Sequence, residues 1–229
     1  LFDVVSPHLV LSGTARSFEY PRPDCPPQVL FAGPLLENSD EAFTPPAWWT
    51  DLDHATVVHV TQGTISNDPA QLLRPTLDAL ADEPVLVVAC TGRLDGGLES
   101  LGPLPANARA ASYIPYAALL PKTSLVVSNG GFQGVQAVLS HGIPMVTAGE
   151  SEDKPEVCAR LLRTGASIDL ATANPEPASI RAAVRQVLDD PSFSLAAAAL
   201  AQEAAEAGGA SGAVDAIDAV LRDFTTPHR

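Results

Sequence analysis

The sequence is short of cysteine and aromatic residues, and it has no long apolar run. Its 229 residues include three cysteines and 5% aromatic residues, and Cys25, Cys90 and Cys158 form no Cys-x-x-Cys pair. We therefore expect neither a structural zinc nor a disulfide framework, and we expect a reducing, cytoplasmic location. No apolar stretch approaches the ~18 residues that a membrane span requires, so none is predicted.

Basic residues are also few, which excludes partners that need a positive surface. Lys and Arg number 13 against 27 Asp and Glu, giving a formal net charge of −14. Nucleic acids and anionic membranes bind basic surfaces, so neither is expected as a partner. A small anionic ligand held in a local pocket is compatible with this charge. With 46% hydrophobic and 17% charged residues, the composition is that of a folded domain rather than a disordered chain.

The first 50 residues are rich in proline and poor in apolar runs. Eight of the 21 prolines lie there. Because proline fixes φ and lacks an N–H donor, we predict an extended segment with at most short strands at 9–11 and 29–31. The chain starts at Leu1 rather than at methionine, and we expect it to be part of a longer protein.

From Thr56 onward, short apolar runs alternate with helical patterns. The runs predict strands at 57–60, 85–89, 109–114, 124–128, 143–148 and 167–170. Helices are predicted at 68–81, with a kink at Pro75, then from a glycine-rich turn to 141, and at 151–164, 176–190, 193–207 and 211–223. This alternation predicts a doubly wound, parallel α/β sheet of the Rossmann-like kind. Ligands of such sheets bind beyond the carboxyl ends of the strands.

Two glycine-containing loops are candidate phosphate sites. Gly63-Thr64 follows the first predicted strand of the sheet, and Asn129-Gly130-Gly131 stands between a strand and a helix. Glycine lets the backbone approach a ligand closely, and the free N–H groups of a helix N-terminus bind phosphate. Neither loop has the spacing of a dinucleotide fingerprint or of a Walker loop. An ordinary glycine turn is the alternative for both.

Two further junctions carry aromatic or charged side chains. Tyr113 ends the third predicted strand of the sheet and is either a stacking partner for a base or a half-buried tyrosine. Glu150, Glu152, Asp153 and Lys154 follow the fifth strand. Their carboxylates are either ligand contacts or caps at a helix N-terminus.

Taken in order, these elements resemble the C-terminal, donor-binding half of GT-B fold glycosyltransferases. The resemblance is to the UDP-glycosyltransferase superfamily, especially its bacterial macrolide-type and rhamnosyltransferase-like branch. The family pattern is a Gly-Thr loop, then aromatic-x-Pro-Gln, His-Gly-Gly, Gly-x-Pro and Asp-Gln. The matching segments here are Gly63-Thr64, Tyr113-Ile114-Pro115-Tyr116, Asn129-Gly130-Gly131, Gly142-Ile143-Pro144 and Asp153-Lys154. The match is strongest over 104–153 and extends more loosely over 29–221.

The resemblance implies a role for each matching residue. Tyr113 would stack on the base, and the backbone of Ile114 would pair with the base edge. The two glycine loops would cradle the diphosphate, while Asp153 and Lys154 would contact the sugar hydroxyls. The implied donor-binding residues are Gly63, Thr64, Tyr113, Ile114, Tyr116, Asn129, Gly130, Gly131, Gln133, Gly134, Gln136, Asp153 and Lys154.

Several of these positions depart from the family pattern. Tyr113 replaces Trp, Tyr116 replaces a ribose-contacting Gln, and Lys154 replaces Gln. Gln136 is next to the position at which many family members have a ribose-binding Glu, and it would substitute for that Glu. Asn129 replaces a phosphate-facing His, and because an amide donates hydrogen bonds without carrying charge, we expect weaker nucleotide affinity.

The resemblance also divides the chain and implies an activity. It makes 1–37 the end of an N-terminal acceptor domain, 38–52 a proline-rich linker and 53–224 the nucleotide-sugar-binding domain. The whole protein is then expected to be an inverting, metal-independent glycosyltransferase without a cofactor, moving a sugar from a UDP- or dTDP-sugar to a hydroxyl of a natural product or lipid. The family's catalytic base is a histidine in the N-terminal domain. None of the five histidines of this chain occupies that position; they are His8, His54, His59, His141 and His228. This chain is expected to bind donor without turnover.

Two alternatives remain open at this point. One is a stand-alone nucleotide-sugar-binding module without catalysis. The other is a GT-B-like sugar-nucleotide epimerase, in which Glu150 or Asp153 would take part in acid–base chemistry. The sequence does not determine the base, the sugar, the acceptor or the oligomeric state.

Overall fold

The computed structural model of the chain describes residues 6–36, 43–63, 68–92 and 97–225, which contain eight strands and seven α-helices. The strands are β1 (Val10–Ser12), β2 (Val29–Phe31), β3 (Val57–Thr61), β4 (Leu86–Cys90), β5 (Ala108–Ala111), β6 (Leu125–Ser128), β7 (Met145–Thr147) and β8 (Ser167–Asp169). The helices are α1 (Leu73–Leu80), α2 (Tyr116–Leu119), α3 (Phe132–Ser140), α4 (Lys154–Arg163), α5 (Pro177–Asp189), α6 (Pro191–Glu206) and α7 (Gly209–Thr225).

Six of the strands form one parallel sheet in the order β5-β4-β3-β6-β7-β8. The chain builds the sheet outward from β3 to β5 and then returns to place β6 on the other side of β3. The predicted doubly wound sheet is therefore confirmed. Its direction of winding reverses between β3 and β6, whose last residues, Thr61 and Ser128, are partners in register.

The central strands are apolar along their whole length because helices cover both faces of the sheet. Every residue of β3, β4 and β6 is buried. On one face, Val58 and Val127 pack with Leu77 of α1 and Val184 of α5. The other face has a core of its own, built from side chains of β6, α3, α4 and α6.

The segment before the sheet packs onto the same body. Strands β1 and β2 pair in a separate two-stranded parallel sheet, which confirms the two short strands predicted there. Phe18 is fully buried and meets Phe132 edge to face, with ring centroids 6.3 Å apart. Arg163 Nη2 donates to the carbonyl oxygen of Ser17 at 2.6 Å. The domain boundaries at 37 and 52 stay a prediction.

Helices α1 and α4 begin later than the sequence predicted, and α4 starts at Lys154 rather than at 151. Helix α1 starts at Leu73, whereas we predicted a start at Asp68. The Asp68 carboxylate instead accepts from the N–H of Ala70 at 3.0 Å and closes a turn. Pro75 thereby falls in the first turn of the helix, where no N–H has an intrahelical acceptor, so the expected kink does not form.

Cys25, Cys90 and Cys158 are free, and the last two are buried. None of the helices in the described ranges is long and apolar enough to cross a membrane.

His59 is the buried polar residue at the centre of the sheet. It is 0% exposed in β3, and its Nδ1 donates to the carbonyl oxygen of Val88 at 3.0 Å. Its Nε2 is buried without a hydrogen-bond partner in the described structure. Burial lowers the pKa of His59 to about 4, because the charged imidazolium would lose its hydration.

We predict that His59 makes the fold less stable in acid. The unfolded histidine protonates near its ordinary pKa of about 6.5, whereas the folded one stays neutral down to about 4. The free energy of unfolding should therefore fall by about 2 kcal/mol more in the wild type than in His59→Asn between pH ~7.5 and ~5. Urea unfolding followed by circular dichroism measures this difference. The exposed His54, changed to Asn, is the control, and equal pH dependence of the wild type and His59→Asn would contradict the prediction.

Candidate functional site

The candidate site lies where β3, β6 and β7 end. These strands lie side by side in the sheet, so the loops that follow Thr61, Ser128 and Thr147 meet at one edge. The edge includes the point between β3 and β6 where the winding direction reverses, which is where ligands of open α/β sheets bind.

The loop after β6 delivers the N-terminus of α3 to this edge. Gly130 has φ +78°, and a Cβ there would overlap the Sγ of Cys158. Gly131 has an ordinary φ of −61° and precedes the helix without any side-chain cap. A Cβ on Gly131 would meet only Asn129 Oδ1, at 3.9 Å. The first N–H groups of α3 lack intrahelical acceptors and are backed by open space, which is the arrangement that binds anions.

Asn129 joins the two central loops. Its Nδ2 donates to the carbonyl oxygen of Gln62 at 2.6 Å, across 67 residues of sequence. The third loop packs onto the same residue, because a Cβ at Gly149 would overlap the carbonyl oxygen of Asn129. No sequence pattern indicates these contacts. Asn129, predicted only as a ligand-facing residue, uses its amide donor to hold the loop in place.

A small pocket with a volume of about 70 Å³ lies under these loops. Among its lining residues are Thr61, Gly63, Tyr116, Ser128, Asn129, Gly131 and Gly134. The Tyr116 ring packs edge-on against His59, with centroids 5.9 Å apart, and its hydroxyl is 3.7 Å from where a Cβ of Gly134 would lie. Burial raises the pKa of Tyr116 to about 12. The structure thus places the Tyr116 hydroxyl in the floor of the site.

The predicted base-contacting residues stand at the end of β5, two strands away from β3. Tyr113 is 47% exposed, so one of its faces is available to a ligand. The side chain of Ile114 is buried in a cluster with Val88 and Leu119. The residue as a whole is 3% exposed, and its pairing with a base edge stays a prediction.

The remaining predicted residues differ in exposure. Gly63 is exposed with φ +71°, and Gln133 is exposed in the first turn of α3. Gln136 is 2% exposed, and its Nε2 is buried without a partner in the described structure. Asp153 is exposed just before α4, whereas Lys154 is 6% exposed. Thr64 and His228 lie outside the described residues.

Another cleft, of about 380 Å³, lies at the opposite edge of the sheet, where Glu83 precedes β4. Its lining arginine, Arg185, is already paired, with Nη2 2.6 Å from Glu83 Oε1. Within the described ranges, no group of three or more His, Cys, Asp or Glu could hold a metal ion. The edge formed by β3, β6 and β7 is therefore the candidate site.

Comparison with known proteins decides the family. Residues 75–217 match the family described as "Erythromycin biosynthesis protein CIII-like, C-terminal domain". The chain belongs to this family. The chain is 50% identical over 199 residues to 4'-demethylrebeccamycin synthase of Lentzea aerocolonigenes, covering 86% of this chain and 46% of that protein. It is 42% identical over 189 residues to UDP-glucosyltransferase A1 of Starmerella bombicola, covering 82% and 41%.

Solved structures agree with the sequence relatives. The calicheamicin glycosyltransferase CalG4 superimposes with a TM-score of 0.80 at 26% identity, over 95% of this chain and 55% of that one. The spinosyn rhamnosyltransferase SpnG, complexed with thymidine diphosphate, gives 0.79 at 25% identity, over 94% and 58%. These matches confirm the resemblance to GT-B glycosyltransferases and the Rossmann-like fold. The chain spans about half the length of the proteins that it matches.

We predict that the neighbouring glycines Gly130 and Gly131 respond very differently to substitution by alanine. Gly130→Ala combines a left-handed φ with an overlap on Cys158 and should destabilise the fold by about 2–4 kcal/mol. Gly131→Ala has an ordinary φ and open space, so its effect should stay below about 1 kcal/mol. Urea unfolding of the two variants makes the comparison, and equal losses of stability would contradict the geometry.

Proposed function

We propose that this chain binds the nucleotide-sugar donor of a glycosyltransferase. The observation that carries the proposal is the uncapped N-terminus of α3, lined by glycine and placed where the sheet reverses its winding. The relatives named as glycosyltransferases and the likeness to a structure complexed with thymidine diphosphate support it.

The diphosphate would lie against the first turn of α3. Backbone N–H groups of Gln133 and Gly134 point there without intrahelical acceptors, and Gly131 carries no side chain that would fill the space. Gly63, with Thr64 after it, would close the cradle from the loop after β3. A helix N-terminus attracts phosphate through its dipole and its N–H donors, so this site needs no basic patch in a chain of net charge −14.

The base and the sugar would lie on either side of that cradle. On the β5 side, the exposed Tyr113 would stack on the base while the Ile114 backbone pairs with its edge. A backbone contact of this kind suits uracil and thymine alike, so UDP and dTDP are both proposed. On the β7 side, Asp153 and Lys154 would contact the sugar.

The reaction we propose for the whole protein is an inverting displacement. A base in the other half would take the proton of the acceptor hydroxyl of a natural product or lipid, and that oxygen would form a bond to the anomeric carbon. The bond from that carbon to the diphosphate would break, and the nucleoside diphosphate would leave with the electron pair. This domain would stabilise the departing charge with fixed N–H donors and without a cofactor. Alone, it would bind donor and not turn it over.

Calorimetry with UDP and dTDP tests the donor site, with ADP and NAD as comparison nucleotides. We expect UDP or dTDP to bind, and Gly131→Trp to abolish binding, because the indole would fill the space above the α3 N-terminus. Gly131 tolerates a side chain in the folded state, having an ordinary φ and no close neighbour. Ala182→Trp, at an exposed position of α5, is the matched control and should bind as the wild type does.

A thermal-shift scan provides a second readout of the same binding. A nucleotide at ~100 times its Kd should stabilise the wild type by about 2.7 kcal/mol and leave Gly131→Trp unshifted. Equal affinity for all four nucleotides, or full binding by Gly131→Trp, would contradict the proposed site. Binding of none of them would contradict the proposal that this domain alone holds the donor.

A further inference from the structure

Lys154 is a buried cation at the edge of the candidate site. It is the first residue of α4, and among the described residues it is the only lysine or arginine that is buried. Its Nζ forms an ion pair with Glu152 Oε2 and lies 3.3 Å from Ser151 Oγ. A buried ammonium group is strongly destabilising without a partner, so this position requires an oxygen acceptor beside Nζ at all times.

The two members of the ion pair differ in their freedom to leave it. The side chain of Lys154 is 7% exposed, whereas that of Glu152 is 56% exposed. Glu152 also has φ +58°, a left-handed conformation that residues with a branched or long side chain rarely adopt. The carboxylate can rotate into water and be hydrated there, and the ammonium cannot. An exchange of partners at Lys154 would therefore replace Glu152 and leave the lysine in place.

The lysine stem packs beside the loop that leads into α3. Lys154 Cβ is 3.1 Å from the point where a Cβ of Gly149 would lie, and that point overlaps the carbonyl oxygen of Asn129. Lys154 thus packs, through its Cβ, against the same group of loops as the proposed diphosphate site. The other carboxylates of the loop, Glu150 and Asp153, are exposed.

We propose that Glu152 is an internal counter-ion that occupies Lys154 in the free domain and is displaced by an oxygen acceptor of the donor. This inference rests on the proposed donor site. Donor binding exchanges one ion pair or hydrogen bond at Nζ for another. The free energy needed to separate Lys154 from Glu152 therefore offsets part of the favourable interaction between Lys154 and the donor. Glu152 therefore lowers donor affinity, and it does so through Lys154 alone.

A double-mutant cycle tests this coupling. The affinities for UDP and UDP-glucose are measured by calorimetry for the wild type, Glu152→Gln, Lys154→Gln and the double variant. Glu150→Gln removes a charge from the same loop without touching Lys154 and is the matched control. We expect Glu152→Gln to bind about fivefold tighter than the wild type or more, and Glu150→Gln to bind less than about twofold tighter. In the Lys154→Gln background, the gain in affinity from Glu152→Gln should fall to the level of the Glu150→Gln control.

The two ligands identify the oxygen that replaces the carboxylate. A gain already seen with UDP assigns it to the diphosphate, and a gain seen only with UDP-glucose assigns it to a sugar hydroxyl. Thermal unfolding adds a readout that needs no nucleotide. Glu152→Gln should lower the Tm, since it leaves the buried ammonium without its anion, and Lys154→Gln should restore most of that loss in the double variant.

Three results would overturn the inference while the donor site stands: equal affinities of Glu152→Gln and Glu150→Gln, weaker binding by Glu152→Gln, or a gain that persists unchanged without Lys154. Weaker binding would mean that Glu152 itself contacts the donor. If the wild type binds none of UDP, UDP-glucose and dTDP, the proposed function fails and this inference fails with it. If it binds dTDP alone, the same four variants are compared with dTDP.

Discussion

The hydrogen bond from the amide of Asn129 to the carbonyl oxygen of Gln62, 2.6 Å long, holds together the loops of the two central strands. The contact is possible because β3 and β6 are neighbours whose last residues lie in register. Gly149 lets the third loop press against the carbonyl oxygen of the same asparagine. The position of the α3 N-terminus, and with it the shape of the whole candidate site, depends on this set of contacts.

In the proposed function, a site built this way would bind negative charge through backbone N–H dipoles. The chain carries a net charge of −14, and the lysine nearest the site is buried and already paired. Fixed N–H donors need no reorganisation when charge develops on a departing diphosphate, which is the electrostatic property that favours group transfer. The same site can hold a ligand firmly only if its loops are rigid. The close contacts at Gly130 and Gly149 supply that rigidity.

Much of the fold could be predicted from the sequence because the central strands are buried on both faces and therefore read as continuous apolar runs. The start of α1 could not, since a capping residue followed by proline also fits the turn that Asp68 closes. Gly130 was identifiable as a special position, whereas the partner of Asn129 was not, because Gln62 lies 67 residues away in the chain. The burial of Tyr116 and Lys154 likewise depends on packing between elements distant in sequence.

The placement of the donor is the central claim, and a crystal structure of the chain with dTDP or UDP tests it most directly. We predict the diphosphate within hydrogen-bond distance of the N–H groups of Gln133 and Gly134, and the base stacked on Tyr113. Density for the nucleotide at the opposite edge of the sheet, in the cleft beside Glu83 and Arg185, would contradict the account.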